Sequence, residues 1–274
     1  MSDLLIHPAF QSAVLPFAVA LCAAAVLGFS SPVTARYAGL AVVAGFLAAY
    51  VSTFGLPPLL PKTSGQKIFA IAVLATIGSL LFDGHRTMAV GLHLALISIL
   101  WIGWRKIMAA PSLDHLSALL IVAGAAVALL GTERDGNDDD VDKAVPFLIV
   151  SLGVAGIAFI GASTSIAQNA GALSAALGGL LILNWPKRRF GFGLLARWVP
   201  LIVLSALSAQ IVFFTSAPAW TLVLLLPAFY VERRVTSTSA LKRPVLIALC
   251  AAVPTGTAFA AAWFAASSNL SGGY

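Results

Sequence analysis

The sequence predicts an all-α, polytopic membrane protein, a transmembrane bundle of about ten helices. Three observations carry that expectation. First, charge is absent over long runs: no Asp, Glu, Lys or Arg occurs in 12–35, 37–61, 144–186, 198–231 or 244–274. A helix needs about 20 mostly apolar residues to span the hydrocarbon core. Second, hydrophobic residues make up 60% of the chain and charged residues only 9%, against ~25% charged in soluble domains. Third, stretches such as Ala18–Leu27 show no alternation of polar and apolar positions. Lipid cannot satisfy backbone groups, so a spanning segment is a helix or part of a closed barrel, and a barrel strand would alternate.

Ten segments follow, near 12–30, 36–53, 65–83, 87–106, 113–131, 144–163, 166–185, 195–215, 217–232 and 242–268. Ser30, Ser31 and Pro32 end the first, which reads as a retained helix because the N-terminus lacks the basic stretch of a signal peptide. Pro57, Pro58 and Pro61 force an extended loop after the second, since proline lacks a helix donor. Asp83, Gly84, His85 and Arg86 make a polar turn between the third and fourth. Pro111 stands at the start of the fifth, a position that tolerates proline. The 43 uncharged residues of 144–186 suffice for two helices and a short turn, or for one crossing and a re-entrant portion. Ala217 and Pro218 separate the eighth from the ninth.

The acidic stretch 133–143 holds six of the ten carboxylates and divides the chain into 1–131 and 144–274, joined by a linker over 132–143. Each part holds five segments, with Arg105 and Lys106 after the fourth matching Arg233 and Arg234 after the ninth. A five-plus-five inverted repeat, a frequent transporter arrangement, is the organisation this suggests. Asp135, Asn137 and Asp139 have the first spacings of a calcium loop, but Asp140 and Pro146 stand where Gly and Glu are required. The stretch therefore reads as a solvated loop.

Small residues recur every fourth position: Ala20, Ala24, Gly28; Ala41, Gly45, Ala49; Gly171, Ala175, Gly179; Ala248, Ala252, Gly256. Such stripes let helix backbones approach closely in lipid, within the bundle or in a homo- or hetero-oligomer. Cys22 and Cys250 lie in apolar runs and are expected to be buried; no spacing of His and Cys suggests a metal, and no cofactor is implied.

Lys and Arg concentrate in cytoplasmic loops. With ten crossings and the N-terminus outside, Arg36, Arg86, Arg134, Lys143, Lys187, Arg188, Arg189, Arg197, Arg233, Arg234, Lys242 and Arg243 are cytoplasmic, and Lys62, Lys67, Arg105 and Lys106 are not. Nine crossings with the N-terminus inside give the same balance. Both place Lys187–Arg197 and Arg233–Arg243 in the cytoplasm, as topology determinants or as contacts to anionic lipid headgroups. Trp101, Trp104 and Trp198 read as interfacial anchors. The net charge of +6 is thereby explained without nucleic acid.

Intramembrane polar groups are few. His93 is the clearest titratable one, on a helical stripe with Arg86, Val90, Ile97 and Trp104. Thr164, Gln168 and Asn169 belong to the polar stretch 161–172, and Gln210 lies inside the eighth segment. Buried polar groups need partners, so these five residues are the expected substrate pathway of a small-solute carrier of a plasma or bacterial inner membrane. A membrane-embedded accessory or assembly subunit is the alternative. A membrane-interface enzyme is a third class, and no catalytic motif favours it.

Overall fold

The computed structural model describes residues 7–35, 37–81, 85–109, 112–131, 141–235, 239 and 241–271. The protein is all-helical, with no strand among the described residues. The main helices are α1 (Leu15–Ser30, preceded by a π-helical turn Phe10–Val14), α2 (Leu40–Phe54), α3 (Ser64–Leu81) and α4 (His85–Ala109). After them come α5 (Leu113–Gly131), α6 (Ala144–Ile160), α7 (Thr164–Leu183), α8 (Gly193–Phe214) and α9 (Lys242–Ser271). Seven candidate spans are long and apolar enough to cross a membrane; α2 is a shorter apolar helix, as is 115–127 within α5. The chain is thus a multi-pass membrane protein by the length and composition of its helices.

The uncharged run 144–186 forms two helices, and both α6 and α7 are long enough to span. By contrast, the single helix expected over 217–232 is broken. Trp220–Val223, the 3-10 turn Leu226–Tyr230 and Val231–Arg234 follow one another as short pieces. Pro227 offers no N–H to the preceding turn, and the helical ladder breaks here, whereas α8 and α9 continue through Pro200 and Pro254. The calcium-like positions 135–140, Arg36, and Asp83 and Gly84 lie outside the described residues.

Helix α8 is the centre of the bundle: 83% of its spanning window is buried. It packs on α3, α4 and α5 on one side and on α6 and α7 on the other. α1, α2 and α7 cross one another closely, and α9 lies along α6. The two halves differ here, because α5 packs on α4 and α8 and not along α1.

Three of the four small-residue stripes contribute to internal packing. Ala20, Ala24, Ala41 and Ala49 are buried, as are Gly45 and Gly179. The fourth does not: Ala252 and Gly256 face outward, and α9 buries Ala251, Ala258 and Ala262 instead. Cys22 and Cys250 are exposed on the helix surface rather than buried. A thiol of that size suits a lipid-facing position as well as a core one. Trp198 is no interfacial anchor, since its ring is buried against Gly91.

The helix ends gather into two poles. At one, the Gln11 side-chain amide donates to Ser52 O at 3.2 Å, and Ser216 N–H donates to Gly161 O at 3.4 Å. At the other, the rings of Phe29 and Phe190 meet edge to face at 5.1 Å, and Asp142 pairs with Arg188 and Arg243. These are called the cavity end and the basic end below.

Candidate functional site

The cavity end holds a recess of about 440 Å³ where α2 ends, α3 and α7 begin, and α8 ends. Ligand sites commonly have volumes of ~300–1,000 Å³. Its polar lining comes from Tyr50, Gln66, Ser163, Ser165, Asn169 and Gln210, and its apolar wall from Phe54, Ile166 and Phe214 among others. No Asp, Glu, Lys, Arg or His is among the described lining residues.

Local sequence builds each wall. Thr63 and Gln66 form a reciprocal cap on α3: Gln66 N–H donates to Thr63 Oγ1 at 3.3 Å, and Gln66 Oε1 accepts from Thr63 N–H at 3.3 Å and from Lys62 N–H at 2.9 Å. Tyr50, one turn from the end of α2, donates its hydroxyl to Gly65 O at 3.1 Å and so ties α2 to that cap. The α6–α7 turn closes through Ala162 N–H to Phe159 O at 3.1 Å and Ser163 N–H to Ala158 O at 2.9 Å. This is a Schellman arrangement, and it holds Ala162 at φ 62°. Replacing Ala162 by Gly is expected to raise stability by about 1 kcal/mol, since a left-handed residue with a Cβ is strained. A higher thermal midpoint in detergent is the expected readout.

The structure brings two of the expected pathway residues together. Asn169 donates to Ser165 O at 3.0 Å, one turn back on α7, and lines the recess. Gln210 lines it from α8; the residue is only 2% exposed, yet its amide has no hydrogen-bond partner among the described residues. Thr164 is exposed and Gln168 is half-buried, and neither lines the recess. His93 is elsewhere: it is exposed on α4, its Nδ1 is 2.7 Å from Ala89 O, and Ile97 and Trp104 on its stripe are exposed too. These three residues face outward, and none of them lines the recess.

Sequence reasoning missed three buried charges among the described residues, Lys67, Asp142 and Arg197. Lys67 lies near the start of α3, as the segment 65–83 implied, but it is buried: its ammonium donates to Trp101 O at 2.6 Å and sits 5.7 Å from the Trp101 ring centroid. Asp142 belongs to the stretch expected to be solvated, yet it is buried, bonded to Arg188 and, at 3.1 Å, to Arg243. Its one visible signal is position: it stands two residues before the start of α6.

The basic residues are distributed around that carboxylate. Arg243 also reaches Glu232 at 3.5 Å, Arg189 lies over the Phe29 ring at 5.7 Å, and Arg197 is buried at the start of the α8 span. Lys187, Arg233, Arg234 and Lys242 are exposed. No protein-family model matches this chain, and no curated protein matches it. Function must therefore be argued from the recess and the surface alone.

Proposed function

We propose that this protein is a carrier for a small, uncharged polar solute, and that the recess at the cavity end is its entry site. The observation that carries the reading is Gln210, a residue only 2% exposed whose amide has no partner among the described residues and opens on the same space as Asn169. An unpaired amide at that depth costs free energy, which a bound solute or water recovers. The uncharged lining argues for a neutral ligand, because an ion taken from water would find no counter-charge.

In this reading all ten segments cross the membrane, 220–234 as a broken one, and residues 1–131 and 144–274 are inverted halves. The hairpins α1–α2 and α6–α7, with α3 and α8 packed on each other, are compatible with such a pairing. The basic end is cytoplasmic, as the lysine and arginine bias requires, and the recess opens to the outside.

The test has two parts. In a protein with Cys22 and Cys250 replaced by Ala, Gln210→Cys is expected to react with an impermeant maleimide added outside intact cells, and cysteines at Lys187 or Arg234 are not. Proteoliposomes are then offered radiolabelled polyols, sugars, amides and nucleosides. Saturable uptake of a neutral solute is expected, falling about tenfold in Gln210→Leu, a loss of ~1.4 kcal/mol for one polar contact. Uptake no faster than in protein-free vesicles across the whole panel would sink the carrier reading.

A further inference from the structure

The basic end carries a second feature that solute transport does not use. Between α6, α7 and α9 a groove of about 320 Å³ opens on the surface of the bundle. Its walls are apolar: Val145, Leu148, Ile149, Ile182, Val245 and Ala248. Its head is not, for Asp142, Asn184 and Trp185 close it there.

The head of the groove is formed by the two segments that carry Lys187 and Lys242, through Asn184 and Trp185 on one and Pro244 and Val245 on the other. The Trp185 indole N–H donates to Leu241 O at 3.3 Å, which draws the loop after α7 against the start of α9. Lys242 follows directly on Leu241, and Lys187 stands two residues after Trp185. Both are exposed, and neither has an acidic partner among the described residues. Asp142 cannot serve them, because Arg188 and Arg243 already share it. The Arg188 side chain, paired with Asp142 at the groove head, is still 42% exposed. Five cations of the two segments thus face two carboxylates, Asp142 and Glu232.

We propose that this groove binds one anionic phospholipid. An acyl chain lies along the apolar walls, and the headgroup phosphate is held by Lys187 and Lys242, with Arg188 beside them. The apolar walls alone would accept any lipid tail. The uncompensated lysines select for net negative charge, because a zwitterionic headgroup brings as much positive charge as negative. The arrangement joins the two signals that hold lipid at a protein surface, buried methylene and basic attraction.

The test uses the full-length protein in detergent, titrated with phosphatidylglycerol or phosphatidylcholine of identical chains, with retained lipid counted by native mass spectrometry. Phosphatidylglycerol is expected to be retained at least tenfold better. The double variant Lys187→Gln/Lys242→Gln is expected to bring it down to the phosphatidylcholine level, about a tenfold loss. A matched pair at the cavity end, Lys62→Gln/Lys106→Gln, should leave it unchanged. Val245→Trp, at an outward-facing wall position, fills the groove without altering charge and should also reduce retention. Equal retention of the two lipids by the wild type would overturn the proposal. So would an equal loss in both lysine pairs, which would show only general surface charge, or full retention in Val245→Trp. None of these outcomes depends on solute uptake.

Discussion

Asp142→Asn is expected to destabilise the protein by about 3 kcal/mol, the cost typical of removing one partner from a buried ion pair. The side chain is 3% exposed and accepts from two guanidinium groups, Arg188 and Arg243. Asparagine keeps the shape and loses the charge. Arg188 is exposed enough to turn to water, so most of the penalty falls on Arg243, whose side chain is 19% exposed and whose other anion, Glu232, is 3.5 Å away. The pairs also join four pieces of chain: the turn before α6, the loop after α7, the Val231–Arg234 turn and the first turn of α9. Denaturant titration in a fixed detergent measures the loss. Adding Arg243→Gln to Asp142→Asn should recover a large part of it, because the stranded cation is then gone. A single variant within ~0.5 kcal/mol of wild type would show that the pairs contribute no more than surface ion pairs do.

The same residue shows what the sequence could and could not reveal. Asp142 is one of six carboxylates in eleven residues, and nothing in its neighbours marks it as the buried one. Membership of the all-helical membrane class was legible, because charge-free runs of spanning length have few other physical outcomes. Helix breaks at Pro32, at 57–61 and at 161–163 were legible for local reasons of the same kind. The azimuth of a side chain was not. In a helix apolar all round, the lipid-facing and core-facing sides look alike, so period carries no information about direction. His93 and Gln210 are equally conspicuous as polar residues in apolar helices, yet one faces outward and the other opens on the recess. Lys67, near the start of the expected segment 65–83, was counted with the charges on the non-cytoplasmic side, and nothing in its neighbours showed that it is buried. Trp198 looked like an anchor because it follows Arg197, but the missing side chain at Gly91 makes room for its ring inside the bundle. The break at 220–234 was written in Pro227, although one proline within an apolar run can also kink a continuous helix.

Gly45→Val is expected to cost about 3 kcal/mol, at the upper end of the range for overpacking a well-filled interior. A Cβ at Gly45 would stand 2.5 Å from Pro16 O, 2.9 Å from the Ala20 methyl and 3.0 Å from the Ala176 methyl. The nearest of these is main chain, which no rotamer change can move aside. Gly179 meets the same helix from the other side, where an added Cβ would lie 2.5 Å from Phe17 O and 3.0 Å from Leu21 N. α1, α2 and α7 therefore cross backbone to backbone. In lipid such contacts are the main source of association, because apolar side chains gain nothing by leaving one hydrocarbon phase for another. A valine at Gly45 must push α1 away from α2 and α7 together. Those two helices carry Tyr50 and Asn169, so the walls of the recess should shift as well, and solute uptake should fall with stability. The control is Gly256→Val on α9, where an added Cβ meets nothing within 4 Å. That change adds the same side chain to a helix interior, where glycine is the poorer helix former, and should be neutral or slightly stabilising. If Gly45→Val expresses too poorly to measure, Gly45→Ala makes the same comparison against Gly256→Ala. Indistinguishable unfolding midpoints within either pair would mean that the close crossing of α1, α2 and α7 contributes nothing to holding the bundle together.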